Sequence, residues 1–322
     1  MTATIIVDAA GGQVGGAARF KVELRRYLAQ SGRNDVRVIG AKRQVGPSWL
    51  VKREVAIRGL GRRVALNNVS FVGPGSERWT LLRNPLDFLT DEEERSVDPA
   101  LQAANRRRAS VVHLAARRAD VLVVPSTAMA ERVTRVLPGL ADRLVVRHHP
   151  VAPDSVPRLP RDQVILCPVL FSPYKGMVDR ISELLAAIDE VADTAVRLKV
   201  TAARTEVPDA LAAHPRLEVL GRLGHNELRE LWARSRVIYF PPGVESFGYP
   251  LAEARVSGQP VIAPDSELNR EVAGPALCGF TVGDPDSLVK ATDQALTADV
   301  TPDPLPFDPT AYFNWLLGPC PS

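Results

Sequence analysis

Cysteine is scarce, with three residues in 322. Cys167, Cys278 and Cys320 are far apart, with no CxxC pair and no His/Cys cluster at zinc-ligand spacing, so neither a disulfide framework nor a structural zinc is expected. Long apolar runs are also missing: no stretch of about 18 apolar residues could cross a bilayer, and the opening MTATIIVDAAGG lacks the basic segment and long apolar core of a signal peptide. The chain therefore reads as cytoplasmic, with membrane association at most peripheral. No low-complexity tract is present, and 45% hydrophobic with 24% charged residues is the composition of a chain that folds throughout.

A chain of 322 residues exceeds the size at which one hydrophobic core stops growing, so two domains of about 150 residues are expected. Strand-like and helical stretches alternate along its length. TIIVD reads as a strand, GGQVGG as a loop, and AARFKVELRRYLAQSG as a helix with Phe20, Leu24 and Leu28 at helical spacing. DVRVI, ALNNVSFVG, TLLRN, ADVLVVPS and RLVVRHHPV read as further strands, and residues 49–60, 98–118 and TAMAERVTRVL as helices. The Pro-rich stretch from Pro150 to Asp162 loses all periodicity. After it come strands in VILCPVLF, VRLKVTA, LEVLG, VIYFPPG and PVIAP, and helices in MVDRISELLAAIDEVA, HNELRELWARS, PLAEARVSG and SLVKATDQALTA. This alternation predicts α/β architecture with doubly wound parallel sheets. The expected organisation is an N-terminal Rossmann-like domain over residues 1–152, a linker over 153–162, a second Rossmann-like domain over 163–304, and a tail over 305–322 whose helix, DPTAYFNWLLG, packs back on the first domain.

Charge is divided unequally. Residues 1–150 carry 25 Lys+Arg against 14 Asp+Glu, a balance of +11, and the remainder 15 against 23, or −8. Solvated helix faces are one reading of the basic half; an anionic partner, such as a phosphorylated acceptor or an acidic membrane surface, is the other. Nothing points to a nucleic acid.

The glycine loop follows the first strand, at the carboxyl edge where parallel sheets take their ligands. It is not a dinucleotide fingerprint, because the third position counted from Gly11 is Gln13, and no Gly-Lys-Ser/Thr of a P-loop follows. Backbone N–H groups near Gly15 and Gly16 could still approach a phosphate or sugar at a helix N-terminus; a tight turn without a ligand is the plainer reading. The richest segment is FPPGVESFGYPLAEARVSGQPVIAPDSE. Pro250 suits the first turn of a helix, Gly258 the position past its end, and Pro260 forbids continuation. Phe247 and Gly248 then lie at the positive end of the helix dipole, with Glu245 before that end and Glu253 a turn inside it. Carboxylates so near an anion site are tolerable where they accept hydrogen bonds from sugar hydroxyls.

The E-x7-E spacing of Glu245 and Glu253 in ESFGYPLAE resembles the hallmark of retaining GT-B glycosyltransferases of family 4 (glycosyl transferases group 1). GGQVGGAARFKVELRRYL, ARRADVLVVPSTAMAERV, SPYKGMVDRISELLAAI and the stretch from LEVLG to IAPD are similar to further motifs of that family, in its order. The resemblance implies two Rossmann-like domains facing a central cleft and transfer of a hexose-type sugar from a nucleotide-diphosphate sugar to a hydroxyl acceptor, with retention. It implies that Glu253 accepts from the donor ribose and that Glu245 is catalytic, holding the transferred sugar's hydroxyls and stabilising a cationic transition state. Lys175 would contact the diphosphate, with Ser246 and the backbone of Phe247, Gly248 and Tyr249 lining the donor site and the Gly15–Gly16 loop closing from the other domain. A lysine and a helix N-terminus supply fixed positive partners for the leaving group, so no metal or other cofactor is expected.

Two positions depart from the family pattern. Leu170 stands where members usually carry an arginine, and no histidine precedes His113, although many members carry one near the reacting sugar. Asn84, in LLRNPLDFL, is the candidate to replace it on the acceptor side, against its plainer role as a turn former. The one DxD, Asp284 to Asp286, is better explained by Asp286 as a helix N-cap than as a metal ligand. His148 and His149 end the first half, where packing is at least as good a reading as acid–base work; His113 reads as structural, His225 as part of a cap, and the acidic run 91–94 as a solvated helix start. The rivals to sugar transfer are a catalytically silent protein that binds a nucleotide sugar and an epimerase-type enzyme on the same fold.

Overall fold

The computed structural model describes residues 5–57, 61–73, 77–90, 93, 99–153, 161–168 and 176–318. The chain divides into two compact units, one of Met1–Val151 with Phe307–Ser322 and the other of Ala152–Pro306. Each is built on a six-stranded sheet whose paired strands are all parallel. Of the expected linker, residues 154–160 lie outside the described residues and Asp162 already belongs to a strand.

Unit 1 comprises β1 (Ile5–Asp8), α1 (Gly15–Ser31), β2 (Val36–Ile39), α2 (Pro47–Ala56), β3 (Arg62–Ala65), β4 (Glu77–Leu81), α3 (Pro99–Ala116), β5 (Val121–Val124), α4 (Thr127–Val136) and β6 (Leu144–Val146), with strand order β2-β1-β3-β4-β5-β6. All four residues of β1 are buried, as a central parallel strand covered on both faces requires. α1 buries Phe20, Leu24 and Tyr27 along one face and stops at Gly32, whose φ of 63° is left-handed. Val112 and Ala116 of α3 and Met129 and Val133 of α4 pack with Leu122 and Val124 of β5 in one cluster.

Two strands sit earlier than the residue pattern predicts. The third covers Arg62–Ala65 rather than 65–73, and the fourth Glu77–Leu81 rather than 80–84. Arg62 and Arg63 hide the third from a hydropathy reading, yet the Arg62 guanidinium lies over the Trp79 ring at 4.6 Å and Arg63 is 2% exposed, so both are taken into the packing of the unit. Beyond Ala65 the chain turns at Asn68, whose φ is 64°. α2 starts at Pro47 and ends at Ala56, short of the expected reach to 60; residues 58–60 are not described.

Unit 2 comprises β7 (Asp162–Cys167), α5 (Met177–Glu190), β8 (Arg197–Val200), the single turn α6 (Asp209–Ala212), β9 (Leu217–Val219), α7 (His225–Arg234), β10 (Ser235–Tyr239), α8 (Tyr249–Ser257), β11 (Val261–Pro264), α9 (Glu267–Ala273), β12 (Leu277–Phe280) and α10 (Pro285–Thr297), in strand order β12-β11-β10-β7-β8-β9. α9 and β12 are elements that the residue pattern does not announce. Cys167 and Cys278 are buried, and burial pushes the Cys278 thiol up to about 11; Cys320 lies outside the described residues. Among the described residues no helix is long and apolar enough to cross a membrane.

The chain returns to unit 1 in α11 (Pro309–Leu317), where Tyr312, Phe313, Leu316 and Leu317 are buried. Phe20 of α1 meets Tyr312 and Phe313 edge to face at 5.7 and 5.6 Å, and the Tyr27 hydroxyl donates to Asn314 Oδ1 at 2.6 Å. Arg33 closes the contact by donating to the Leu317 carbonyl at 3.2 Å while it forms a bidentate pair with Asp35. That hydrogen-bonded pair holds the Asp35 carboxyl below the usual carboxylate range. Such a group stabilises the fold fully above its unfolded pKa of about 4 and loses that contribution as pH falls through the folded value. Asp35→Asn is expected to lower stability at pH 7 and to flatten the loss below about pH 4, read by urea unfolding at stepped pH; an unchanged acid limb contradicts this.

Candidate active site

Strand order decides where each sheet opens. In unit 2, β8 and β9 add on one side of β7, and β10, β11 and β12 on the other. The reversal falls between β7 and β10, paired at Ile165↔Val237 and Leu166↔Ile238. The loops leaving two such strands diverge to opposite faces, and the crevice between them is where open parallel sheets take ligands. Lys175 and Leu170, which fall between β7 and α5 in the sequence, lie outside the described residues. The loop after β10 runs from Phe240 to Gly248 and carries the ESFG segment.

Gly248 is the N-cap of α8, in a left-handed conformation with φ 75° and ψ 76°, and Pro250 follows in the first turn. A Cβ here would stand 2.8 Å from Leu251 Cδ1 and 2.9 Å from Phe240 Cε1, so both the backbone angle and the space demand glycine. The Gly248 carbonyl accepts from the Leu251 N–H at 2.9 Å. No side chain caps the helix, and Pro250 has no N–H, so the backbone of Gly248 and Tyr249 heads the dipole's positive end. Phe247 and Tyr249, 2% and 9% exposed, pack edge to face at 5.3 Å and fix the approach to the helix. Ser246 is buried, Glu245 is half-buried in the loop, and Glu253 is half-buried one turn into α8. The structure therefore brings Glu245, Ser246, Phe247, Gly248, Tyr249 and Glu253 together in one loop and helix head at the reversal.

The far end of α8 is anchored. Gly258, with φ 64°, lies where a Cβ would stand 2.6 Å from the Val300 carbonyl. Gln259 donates to the Trp232 and Ser235 carbonyls, each at 2.8 Å, and Arg255 donates to Asp303 Oδ2 at 2.9 and 2.7 Å. Such fixing keeps the helix head from drifting.

In unit 1 the reversal lies between β1 and β3. The glycine loop after β1 has positive φ at Gly11, Gly12 and Gly15, and exposed Gly15 and Gly16 open α1. Beneath it Asp8 is fully buried. It accepts from the Ala10 N–H at 3.0 Å, Trp49 Nε1 at 3.2 Å, Arg53 Nη1 at 2.6 Å and Asn67 Nδ2 at 2.8 Å. Arg53, also buried, donates to the Val69 and Ser70 carbonyls and lies over the Phe71 ring. Asn84 caps the short 3-10 turn Pro85–Phe88 by accepting from the Leu86 N–H at 3.3 Å.

Residues 163–298 match the family model described as Glycosyl transferases group 1. Over 98% of this chain and 95% of the other, the structure is similar to sucrose-phosphate synthase from Thermosynechococcus elongatus, with TM-score 0.63 at 16% identity. Against a trehalose-6-phosphate synthase the TM-score is 0.66 at 10% identity, covering 98% of each chain. A TarM variant from S. aureus, solved in complex with UDP, gives 0.56 at 12% identity over 82% of this chain and 53% of that one, so the chain spans about half the length of TarM. No curated protein matches the sequence. At these identities the likeness establishes the fold, the two-domain Rossmann-like α/β fold of the GT-B glycosyltransferases. The family match lies within unit 2.

Other sequence candidates take structural places. The α10 N-cap is Asp284, which accepts from the Ser287 N–H at 3.1 Å, and not Asp286, which lies within the first helical turn. His113 Nε2 bonds the Asp87 carbonyl oxygen at 2.7 Å. His148 stacks on Phe307, and His149 is buried against Phe20. Burial, then Arg83 and His148, hold the His149 imidazole well below its ordinary value. His225 opens α7, whose N-cap is Gly224. Of the acidic run only Glu93 is described, and it pairs with Arg132. Among the described residues no three His, Cys, Asp or Glu side chains gather as a metal-ligand set. The pattern of residues did not single out Asp8, Lys21, Arg53 or Arg83; a lone acid ending the apolar run of β1 was the one available signal.

Gly248→Ala is expected to cost about 1–3 kcal/mol through the left-handed angle and the close contacts. Gly243→Ala, where an added Cβ meets nothing within 4 Å, is the control that stays near wild type in urea unfolding. Equal stability of the two variants would contradict the account of the helix head.

Proposed function

We propose that this chain is a retaining glycosyltransferase, most similar in its motifs to family 4, which moves a hexose-type sugar from a nucleotide-diphosphate sugar to a hydroxyl acceptor without a metal or other cofactor. The observation that carries the reading is the left-handed Gly248 at the head of α8, which sets Glu245 and Glu253 on either side of one anion-accepting helix end, inside the stretch that matches the glycosyltransferase model. UDP in the TarM structure supports a nucleoside diphosphate as the leaving group.

In this reading the amides of Phe247, Gly248 and Tyr249, with Ser246 and Lys175, hold the diphosphate. Charge that builds on it as the glycosidic bond lengthens meets a helix end equivalent to roughly half a positive charge and a lysine, fixed before the reaction begins. Glu253 accepts from the ribose hydroxyls. Glu245 accepts from hydroxyls of the transferred sugar, and its negative charge stabilises the oxocarbenium-like sugar. The acceptor hydroxyl attacks the face that the diphosphate leaves, and a diphosphate oxygen takes its proton, which gives retention. The anionic character of the donor phosphates disfavours any carboxylate in contact with them, which is why both glutamates are assigned to hydroxyls.

Glu245→Gln is expected to lower turnover by about 100-fold or more, the scale for removing one fixed electrostatic partner, while nucleoside diphosphate affinity by calorimetry stays within a few-fold of wild type. Glu253→Ala should instead weaken that affinity. EDTA should change neither quantity. Near-normal turnover in Glu245→Gln, or loss of turnover on chelation, overturns the assignment.

A further inference from the structure

Helix α2 leaves part of the unit 1 sheet uncovered. Matched residues of parallel neighbours turn to the same face, so Ile6 with Arg37, and Asp8 with Ile39, face α2, whose Trp49 and Arg53 donate to Asp8. Between α2 and the strands β1 and β2 lies a cavity of about 170 Å³, walled by Ile6, Ile39, Ile57 and Trp49 and also lined by Arg37, Lys52 and Arg53. Ile6 and Ile57 belong to a small core cluster with Ala65 and Phe71, and Ile39 packs against it. Close-packed interiors hold few voids wider than a water, and one of about 150 Å³ with apolar walls admits a benzene ring.

The three cations of the lining differ in their partners. Arg53 is buried and engaged by Asp8 and by the Val69 and Ser70 carbonyls. Arg37 and Lys52 are exposed, and among the described residues neither side chain has an ion pair or a hydrogen bond. The acids of neighbouring segments are already held: Asp8 by Trp49, Arg53 and Asn67, Asp35 by Arg33, and Glu54 by the Val72 and Gly73 N–H groups. Two unpaired cations at the mouth of an apolar hollow complement an anion with an apolar body. Trp49 also ties this place to the glycine loop, since the indole that walls the cavity donates to Asp8, which accepts from the Ala10 N–H.

We propose that the cavity is a binding site for a small amphiphilic carboxylate, with an apolar group the size of one ring among Ile6, Ile39, Ile57 and Trp49 and its carboxylate between Arg37 and Lys52. A guanidinium can take a carboxylate through two parallel hydrogen bonds, and the apolar group gains by leaving water. The lining residues all belong to unit 1, and the site does not depend on glycosyl transfer.

The test is calorimetric titration of the full chain with benzoate, benzyl alcohol and acetate, in the presence and absence of UDP. Wild type is expected to bind benzoate, to bind benzyl alcohol about fivefold more weakly and not to bind acetate, with UDP changing none of these. Ile39→Phe, which fills the cavity, should abolish benzoate binding. The paired substitution of Arg37→Gln and Lys52→Gln should weaken benzoate about fivefold, the scale of two exposed ion pairs, and leave benzyl alcohol as it was. Both cations are exposed, so that variant decides the outcome should Ile39→Phe fail to fold. No benzoate binding by wild type, displacement of benzoate by UDP, or unchanged binding in either folded variant overturns the site. Benzoate bound as expected by a chain that does not bind UDP supports the cavity and counts against the donor site instead.

Discussion

A parallel sheet that adds strands first on one side and then on the other must contain one pair of neighbours whose following loops part company. That constraint, met between β1 and β3 in unit 1 and between β7 and β10 in unit 2, gives each unit a single crevice at the carboxyl edge of its sheet. Most of the candidate site residues among the described ones follow strands at these two places. Glu245 to Glu253 follow β10, the glycine loop follows β1, and Lys21 and Arg83 grip the carbonyls after β1 and β3.

The crevices are built by opposite means. In unit 2 the backbone provides the site. A left-handed glycine and a proline leave the start of α8 without a side-chain cap, and a helix end without a cap must find its hydrogen-bond partners elsewhere. In unit 1 side chains do the work. Asp8 gathers donors from the glycine loop, α2 and the loop after β3, and one buried carboxylate thereby ties three segments to the end of one strand. A buried ion pair contributes little net stability but makes the loss of either partner costly, so it fixes arrangement more than it deepens the fold. Arg53, which donates to the Val69 and Ser70 carbonyls as well as to Asp8, extends that fixing along the loop after β3.

The doubly wound sheets were legible because parallel strands buried on both faces are written in runs such as TIIVD, VLVV and PVIAP. The frame of α8 was legible as well, since Pro250 and Gly258 mark its limits whatever packs around it. β3 was misplaced because its arginines are taken into the packing, Arg62 over the Trp79 ring and Arg63 by burial, while a residue-type reading counts both as polar. α9 is hidden by its seven-residue length, and β12 by a sequence, LCGF, with little β-branching. That β1 and β3 are neighbours is a long-range property, which only the strand order shows.

The basic excess of the first half also changes meaning in the structure. Many of its arginines are spent inside the fold: Arg33 on Asp35 and the Leu317 carbonyl, Arg62 on Glu77 and the Leu316 carbonyl, Arg78 on Asp120, Arg143 on the Arg117 and Ala119 carbonyls. Guanidinium suits such work because its fixed fork can satisfy a carboxylate and a chain-end carbonyl at once. Carbonyl partners cancel no charge, so a unit stapled in this way accumulates positive charge without that charge facing a ligand. The balance of +11 is thus a poor guide to what the surface attracts.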